Sequence, residues 1–163
     1  MNKLKYILLL SASLVSIGAA VSTRDNVELD IIELEAKPLE SVYMPTEMDL
    51  IDALINVESR GNDSAIGDRH LVGNEAVGAL QIRPIMVREV NRILKLQKSD
   101  TRFKLKDRYD RQKTIEMFLI WKNHHHPDGD FEKIARNWNG GPKGFKKNRT
   151  VGYWVKVQQE LDI

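Results

Sequence analysis

The chain has 163 residues, of which 42% are hydrophobic; this is enough for one domain with a core and too few for two. It has no cysteine, which excludes disulfide cross-links and lipid attachment through a cysteine. The net charge is +2, but residues 23–52 hold nine acids and two bases, whereas residues 53–163 hold 21 bases and 14 acids, which favours a polyanionic partner.

The N-terminal segment is typical of a signal peptide. Residues 1–5 include two lysines, residues 6–21 are largely apolar, and small residues offer a cleavage site after Ala20 or Ser22. The alternative is a membrane anchor, but the 16 residues from 6 to 21 are fewer than the ~20 that a membrane-spanning helix needs. We therefore expect residues 1–22 to be a signal peptide. The protein would be exported to the periplasm or the cell exterior, and would meet the membrane only transiently.

Residues 23–44 are acidic and show no helical or strand period, which predicts a mobile leader before a folded domain at 45–163. The domain begins with a predicted helix: Thr46 is a cap, Asp49 lies three positions on, and residues 61–62 (Gly-Asn) form the stop. The apolar stripe of this helix consists of Leu50, Ile51, Leu54 and Ile55.

A glycine-rich region follows, in which residues 72–75 are a plausible turn between two short strands. Pro84 suits the first turn of a second helix, and a third helix is predicted from Asp107 to the histidines. Asp130 begins a fourth helix and Thr150 caps a fifth. The residues predicted to face inward are Ile85, Val90, Ile93 and Leu94 in the second helix, Phe131, Ile134, Ala135 and Trp138 in the fourth, and Val151, Trp154 and Val155 in the fifth. The predicted class is α+β, predominantly α-helical with a small β element.

Glu58 is the first candidate catalytic residue. It follows Leu54 by four positions and Ile55 by three, which places it on the apolar face of the first helix. Loss of hydration there, together with the helix C-terminal dipole, raises the pKa of a carboxyl group. A glycosidase needs such a proton donor near neutral pH. The alternative is a structural ion pair, for example with Arg60.

Four segments match one known family in order. Residues 58–62 read Glu-Ser-Arg-Gly-Asn, residues 78–84 read Gly-Ala-Leu-Gln-Ile-Arg-Pro, and residues 137–142 read Asn-Trp-Asn-Gly-Gly-Pro. Residues 150–155, Thr-Val-Gly-Tyr-Trp-Val, match more loosely. Over roughly residues 46–157 the chain resembles the lytic transglycosylase branch of the lysozyme-like superfamily. The resemblance implies a lysozyme-like fold.

The resemblance also implies roles for five residues. Glu58 would be the acid/base catalyst, Ser59 would orient it or the substrate, Gln81 and Asn139 would line the glycan groove, and Tyr153 would approach the Glu58 carboxyl. Structural alternatives remain for the last four: Ser59 as a helix-end cap, Tyr153 as core filling, and Gln81 and Asn139 as partners of loop backbone.

The implied reaction is cleavage of the β-1,4 bond between N-acetylmuramic acid (MurNAc) and N-acetylglucosamine (GlcNAc) in peptidoglycan glycan strands. One glutamate would suffice, and the product would carry 1,6-anhydro-MurNAc ends. A hydrolytic lysozyme would instead need a second carboxylate, for which Asp63, Asp68 and Glu75 are candidates. A catalytically silent glycan-binding module is the third alternative.

Two further patterns suggest other partners. Residues 124–126 are three histidines, but neighbours on a helix point about 100° apart and cannot chelate one metal ion from one face. Basic runs at 95–113 and 143–149 carry no nucleic-acid motif, so a solvated helix face or anionic wall polymers explain them more simply. We therefore expect a monomer that binds peptidoglycan, with no metal, no cofactor and no nucleic-acid partner.

Overall fold

The computed structural model describes residues 44–162. The expectations for residues 1–22 and for all but the last residue of the leader lie outside this range. The α+β, mostly helical class is confirmed. Five α-helices are present in the described part of the chain: α1 (Glu47–Ser59), α2 (Pro84–Leu96), α3 (Arg111–His125), α4 (Phe131–Gly140) and α5 (Val151–Leu161). The strands β1 (Ile66–Gly67) and β2 (Ala76–Val77) form the small sheet, and 3-10 helices occupy Leu105–Tyr109, Gly144–Lys146 and Asn148–Thr150.

The N-terminus of α1 is capped by Thr46, as the sequence predicts. The Asp49 amide donates to Thr46 Oγ1 at 3.3 Å, and the Thr46 amide donates back to Asp49 Oδ2 at 2.7 Å, which confirms the capping box. All four residues of the predicted apolar stripe are buried. The helix ends at Ser59, and Arg60 adopts the left-handed conformation with φ 54°, so the reversal begins one residue before the predicted glycine stop.

The β element is an antiparallel hairpin in which Ile66 pairs with Val77 and Gly67 with Ala76. The 3-10 helix Leu105–Tyr109 holds it in place, because the Arg108 guanidinium donates to the carbonyls of Glu75 (3.0 Å) and Ile82 (3.1 Å). A Cβ on Gly78, whose φ is +78°, would lie 1.8 Å from the Arg108 carbonyl oxygen. Glycine is therefore required where the hairpin touches this segment.

Two predictions about the middle helices are wrong. Ile85 is 63% exposed rather than inward-facing, because nine residues separate it from Leu94 and place the two on opposite sides of α2; Val87 is buried instead. The third helix begins at Arg111 and not at Asp107. Asp107 lies in a 3-10 helix, where its carboxylate accepts from the Lys104 amide at 2.7 Å. Asp110 caps α3 instead, accepting from the Lys113 amide at 3.2 Å.

The fourth helix is confirmed, with Asp130 as its cap. The fifth differs from the prediction. The Thr150 hydroxyl makes no cap hydrogen bond and lies 2.7 Å from the Lys147 carbonyl oxygen. The predicted inward residues Val151 and Val155 are 43% and 46% exposed. The buried face of α5 carries Val157 and Leu161 instead, since their spacing of four residues places them together against the core.

The hydrophobic core draws on all five helices and the end of the hairpin. Helix α1 packs along α5, α2 packs against α3, and α4 packs against α5. Within residues 44–162, no helix combines the length and the apolar character that crossing a membrane requires. Fully buried side chains at the centre include Leu50, Leu54, Leu80, Phe118, Ile134 and Val157.

Candidate active site

The candidate site is centred on Glu58 in the last turn of α1. Its side chain is partly buried, and Glu58 Oε1 accepts a hydrogen bond of 2.8 Å from the hydroxyl of Tyr153 on α5. Burial raises the pKa of Glu58 from 4.5 to about 7, and the Tyr153 hydrogen bond opposes this only in part. The carboxyl group therefore holds a proton over much of the range up to neutral pH.

The Tyr153 hydroxyl keeps its proton and so remains a hydrogen-bond donor to the Glu58 carboxyl. Burial and the charge of Glu58 both raise the pKa of the Tyr153 hydroxyl well above its ordinary value, so the phenol stays protonated. The contact depends on the packing of α1 along α5. A neutral donor of this kind orients the carboxyl without fixing it in its charged form.

An ion pair between Asp68 and Arg83 acts on Glu58 from the hairpin side. Asp68 follows β1 directly and has a positive φ of 49°, and Arg83 immediately precedes α2. The charge of Asp68 raises the pKa of Glu58, whereas the charge of Arg83 lowers it. Two oppositely charged side chains therefore act on the candidate acid electrostatically, and the balance of their charges affects its proton affinity.

Asp68 also stands apart from the other two candidates for a second carboxylate. Asp63 Oδ1 lies 2.9 Å from Nε of Arg111, and Glu75 accepts from the Gly73 amide at 3.0 Å. The charge of Asp68, by contrast, is one of the causes of the raised pKa of Glu58. Of the three, Asp68 is therefore the one that the fold couples electrostatically to Glu58.

The other three residues predicted from the sequence to bind substrate are Ser59, Gln81 and Asn139, and in the described part of the chain none of them hydrogen-bonds to Glu58. The Ser59 hydroxyl donates to the Ile55 carbonyl at 3.2 Å, within its own helix. The Gln81 amide donates to the carbonyls of Gly78 (3.0 Å) and Ala65 (3.4 Å), and so ties the end of the hairpin together. Asn139 lies exposed near the end of α4. The structure thus brings Tyr153 to Glu58, gives Ser59 and Gln81 backbone partners, and leaves Asn139 facing solvent.

The three histidines do not converge. His125 Nε2 lies 2.8 Å from Glu89 Oε1, and the His126 ring packs edge-on against Trp121 with ring centroids 5.1 Å apart. Among residues 44–162, no three His, Cys, Asp or Glu side chains are grouped so that they could hold a metal ion.

The fold resembles that of a chain in a solved structure, although no family model matches the sequence. One chain of the crystal structure of Aeromonas hydrophila PliI in complex with Meretrix lusoria lysozyme superposes with a TM-score of 0.56 and 19% identity, covering 72% of this chain and 93% of that one. The fold is lysozyme-like.

Short sequence matches point the same way. The lysozyme-like chain is 54% identical over 28 residues to a lysozyme of Meretrix lusoria, covering 17% of this chain. It is 53% identical over 30 residues to invertebrate-type lysozyme 6 of Caenorhabditis elegans, covering 18%. The chain matches less than a quarter of the length of these curated relatives, 23% and 22% respectively.

Sequence reasoning missed two arginines of the lysozyme-like domain. Arg83 lies inside the segment 78–84 that carried the resemblance, but nothing in the sequence indicates its pairing with Asp68. Arg108 lies in a basic run and looks like a surface residue, yet it is buried and bonds the hairpin carbonyls. The partners that give these arginines their roles, Asp68 for Arg83 and the carbonyls of Glu75 and Ile82 for Arg108, lie 15 or more positions away, so no local pattern indicates them.

Proposed function

We propose that this protein cleaves the β-1,4 bond between MurNAc and GlcNAc in peptidoglycan, with Glu58 as the proton donor. The observation that carries the proposal is the state of Glu58: a partly buried carboxyl with a pKa of about 7, hydrogen-bonded to the Tyr153 hydroxyl rather than paired with a cation. Such a group can protonate a leaving glycosidic oxygen near neutral pH. The similarity to proteins named lysozyme supports the same reaction class.

We favour hydrolysis as the outcome, with Asp68 as the second carboxylate. Glu58 would protonate the glycosidic oxygen as the bond to the anomeric carbon breaks, and a water molecule would supply the new hydroxyl at that carbon. Asp68, coupled electrostatically to Glu58, would either take the proton from water, or stabilise the developing positive charge while the deprotonated Glu58 takes that proton. The similarity to lysozymes supports this hydrolytic form.

One observation favours intramolecular transfer as a second candidate. The Asp68 carboxylate is already occupied by its ion pair with Arg83. If that pair persists with substrate bound, Glu58 acts alone. It would first protonate the leaving oxygen and then remove the proton from the 6-hydroxyl of MurNAc, which would close a 1,6-anhydro ring.

The other candidate residues have supporting roles in this proposal. Tyr153 orients the Glu58 carboxyl, while Ser59 and Gln81 keep the end of α1 and the hairpin in place beside the glycan strand. Asn139, which is exposed, supplies a polar contact to the sugar. Because peptidoglycan lies outside the cytoplasm, the proposal also requires export, for which residues 1–22 are the candidate signal. The enzyme would act as a monomer.

Digestion of purified peptidoglycan, followed by mass spectrometry of the products, tests the proposal. Wild type should release fragments, and Glu58→Gln should bind the polymer without cutting it. At pH 5, well below the pKa of about 7 for Glu58, Asp68→Asn should lose activity only if hydrolysis operates. Ordinary reducing ends support hydrolysis, and anhydro ends support transfer. If wild type and Glu58→Gln both bind and neither cuts, the protein is a glycan-binding module and the proposal is wrong.

A further inference from the structure

The chain from α4 through most of α5 carries a net positive charge. Residues 133–159 contain seven lysines and arginines and no acidic residue. We call residues 143–149 the basic arch. Three of its side chains, Lys143, Lys146 and Arg149, are exposed, and none forms an ion pair with another part of residues 44–162. Within the described part of the chain, the arch therefore presents three exposed cations that have no ion-pair partner.

The backbone of the arch is held firmly against α4. The Phe145 amide donates to Oδ1 of the buried Asn137 at 2.8 Å, and Lys147 Nζ donates to the Gly140 carbonyl at 2.5 Å. A Cβ on Gly144 would lie 2.0 Å from the Arg136 carbonyl oxygen, so no side chain fits between the backbone of the arch and that of α4 at this position. The three exposed cations therefore project from a fixed scaffold and not from a loose loop.

Arg136 of α4 holds the arch from its inner side. Its Nε donates to Thr150 Oγ1 at 3.0 Å, its Nη2 donates to the Lys147 carbonyl at 3.3 Å, and its guanidinium lies 4.7 Å from the centre of the Phe145 ring. Glu132 neutralises this arginine. Arg136, which lies beneath the arch, is thus paired with an acid, whereas the three exposed cations of the arch have no ion-pair partner within residues 44–162.

The arch leads directly into α5, the helix that carries Tyr153 of the candidate active site. It begins four residues after Asn139, and α5, which follows it, brings the Tyr153 hydroxyl to Glu58 at 2.8 Å. Three like charges close together repel one another and do not stabilise the fold. Arg88 and Lys95 of α2 are likewise exposed and unpaired within residues 44–162, but α2 also carries Glu89, which pairs with Arg92, whereas residues 133–159 hold no acid at all. A cluster of exposed cations with no acid in residues 133–159 is complementary in charge to a polyanionic ligand.

We propose that Lys143, Lys146 and Arg149 bind the carboxylates of the peptide stems carried by the glycan strand next to Glu58. This inference rests on the proposed function and adds to it a recognition surface for the charged part of the substrate. Stem carboxylates recur along each strand, so an arch with several cations can hold two or more of them at once. The interaction strengthens binding of peptidoglycan and leaves the binding of an uncharged glycan unchanged.

Cosedimentation with purified peptidoglycan, stripped of phosphate-containing polymers, tests the inference without requiring turnover. All proteins carry Glu58→Gln, so that the polymer stays intact. We expect Lys143→Gln/Lys146→Gln/Arg149→Gln to raise the Kd roughly tenfold at low salt, since each exposed ion pair is individually weak. The difference should shrink above about 0.1 M salt, where charges are screened beyond ~10 Å.

The matched control removes the same charge elsewhere. Arg88→Gln/Lys95→Gln/Lys98→Gln alters exposed residues in and just after α2, and its Kd should stay within about twofold of the parent protein. Equal unfolding midpoints of the two triple variants show that neither has lost its fold. If the arch variant binds peptidoglycan as tightly as the parent, or if the control weakens binding equally, the inference is wrong.

Two further comparisons identify the anion. Amidation of the stem carboxylates should abolish the difference between parent and arch variant. If the difference survives amidation and appears only on walls that retain phosphodiester polymers, those polymers are the ligand and the inference is wrong. If wild type cuts no glycan, the proposed function is wrong. The binding assay does not depend on turnover, so it still tests the inference about the arch.

Discussion

The Tyr153 hydroxyl donates a 2.8 Å hydrogen bond to Glu58 across a sequence separation of 95 residues. Glu58 forms no ion pair within the described residues, so the pairing with Arg60 considered from the sequence does not occur there. A carboxyl with a neutral partner and little hydration keeps its proton, whereas a carboxyl paired with an arginine loses it. This difference separates a candidate acid catalyst from a structural carboxylate.

Replacing Glu58 by Gln should remove activity while increasing stability at alkaline pH. The folded state raises the pKa of Glu58 from 4.5 to about 7, so this group disfavours folding progressively as the pH rises from 4.5 to 7. Above pH 7 the penalty is constant, on the order of 3 kcal/mol. Urea unfolding at pH 5 and pH 8 should show Glu58→Gln gaining stability over wild type at pH 8. Glu116→Gln, on the exposed surface of α3, is the control and should show no such gain.

Loss of activity in Glu58→Gln should be at least about a hundredfold, the usual range for a general acid being 10²–10⁴. Release of soluble fragments from peptidoglycan measures it. A variant that keeps most of the wild-type rate would assign the acid role to another residue.

The wild-type rate should fall as the pH rises through about 7, because only protonated Glu58 can donate. The Tyr153 hydrogen bond lowers the pKa of Glu58, so Tyr153→Phe should move this alkaline limb to higher pH. It should also reduce stability by about 1 kcal/mol, the typical contribution of one hydrogen bond. The pH profile of kcat/KM checks the direction, and an unmoved limb would show that the hydroxyl does not act on the carboxyl.

Asp68 and Arg83 should shift the pKa of Glu58 in opposite directions. Asp68→Asn removes a negative charge and should lower that pKa, whereas Arg83→Gln removes a positive charge and should raise it. Carboxyl-carbon NMR titration of Glu58 measures both without relying on activity, which matters because Asp68 is also a candidate catalytic residue. Shifts of the same sign in the two variants would contradict the arrangement described here.

Two glycines in the hairpin region offer a matched stability test. Gly73 and Gly78 both have positive φ, 76° and 78°, so alanine strains the backbone at either position by about 1 kcal/mol. A Cβ at Gly73 meets nothing within 4 Å, whereas at Gly78 it would lie 1.8 Å from the Arg108 carbonyl oxygen. Urea unfolding should show Gly78→Ala losing about 2 kcal/mol more than Gly73→Ala. Equal losses would mean that the hairpin does not rest on Arg108.

The fold could be predicted from sequence wherever short-range patterns govern it. Thr46 and Asp49 cap α1 through bonds three residues apart, and Asp130 caps α4 in the same way. The prediction was wrong at the start of the third helix, where the sequence offers two possible N-caps, Asp107 and Asp110. Asp107 bonds to Lys104 and Lys113 instead, and Asp110 caps the helix. At Ile85 and Val155, apolar residues stay exposed because helix phase, rather than hydrophobicity, decides which side faces the core.

By itself the sequence determined the mostly helical class, the caps of α1 and α4 and the position of Glu58 on an apolar stripe, because these follow from interactions within one or two helical turns. Only the tertiary structure decided that the Glu58 carboxyl meets the Tyr153 hydroxyl, that Asp68 pairs with Arg83 beside it, and that Arg136 holds the basic arch. Such contacts join residues 14 to 95 positions apart and depend on how helices pack, which no local pattern encodes.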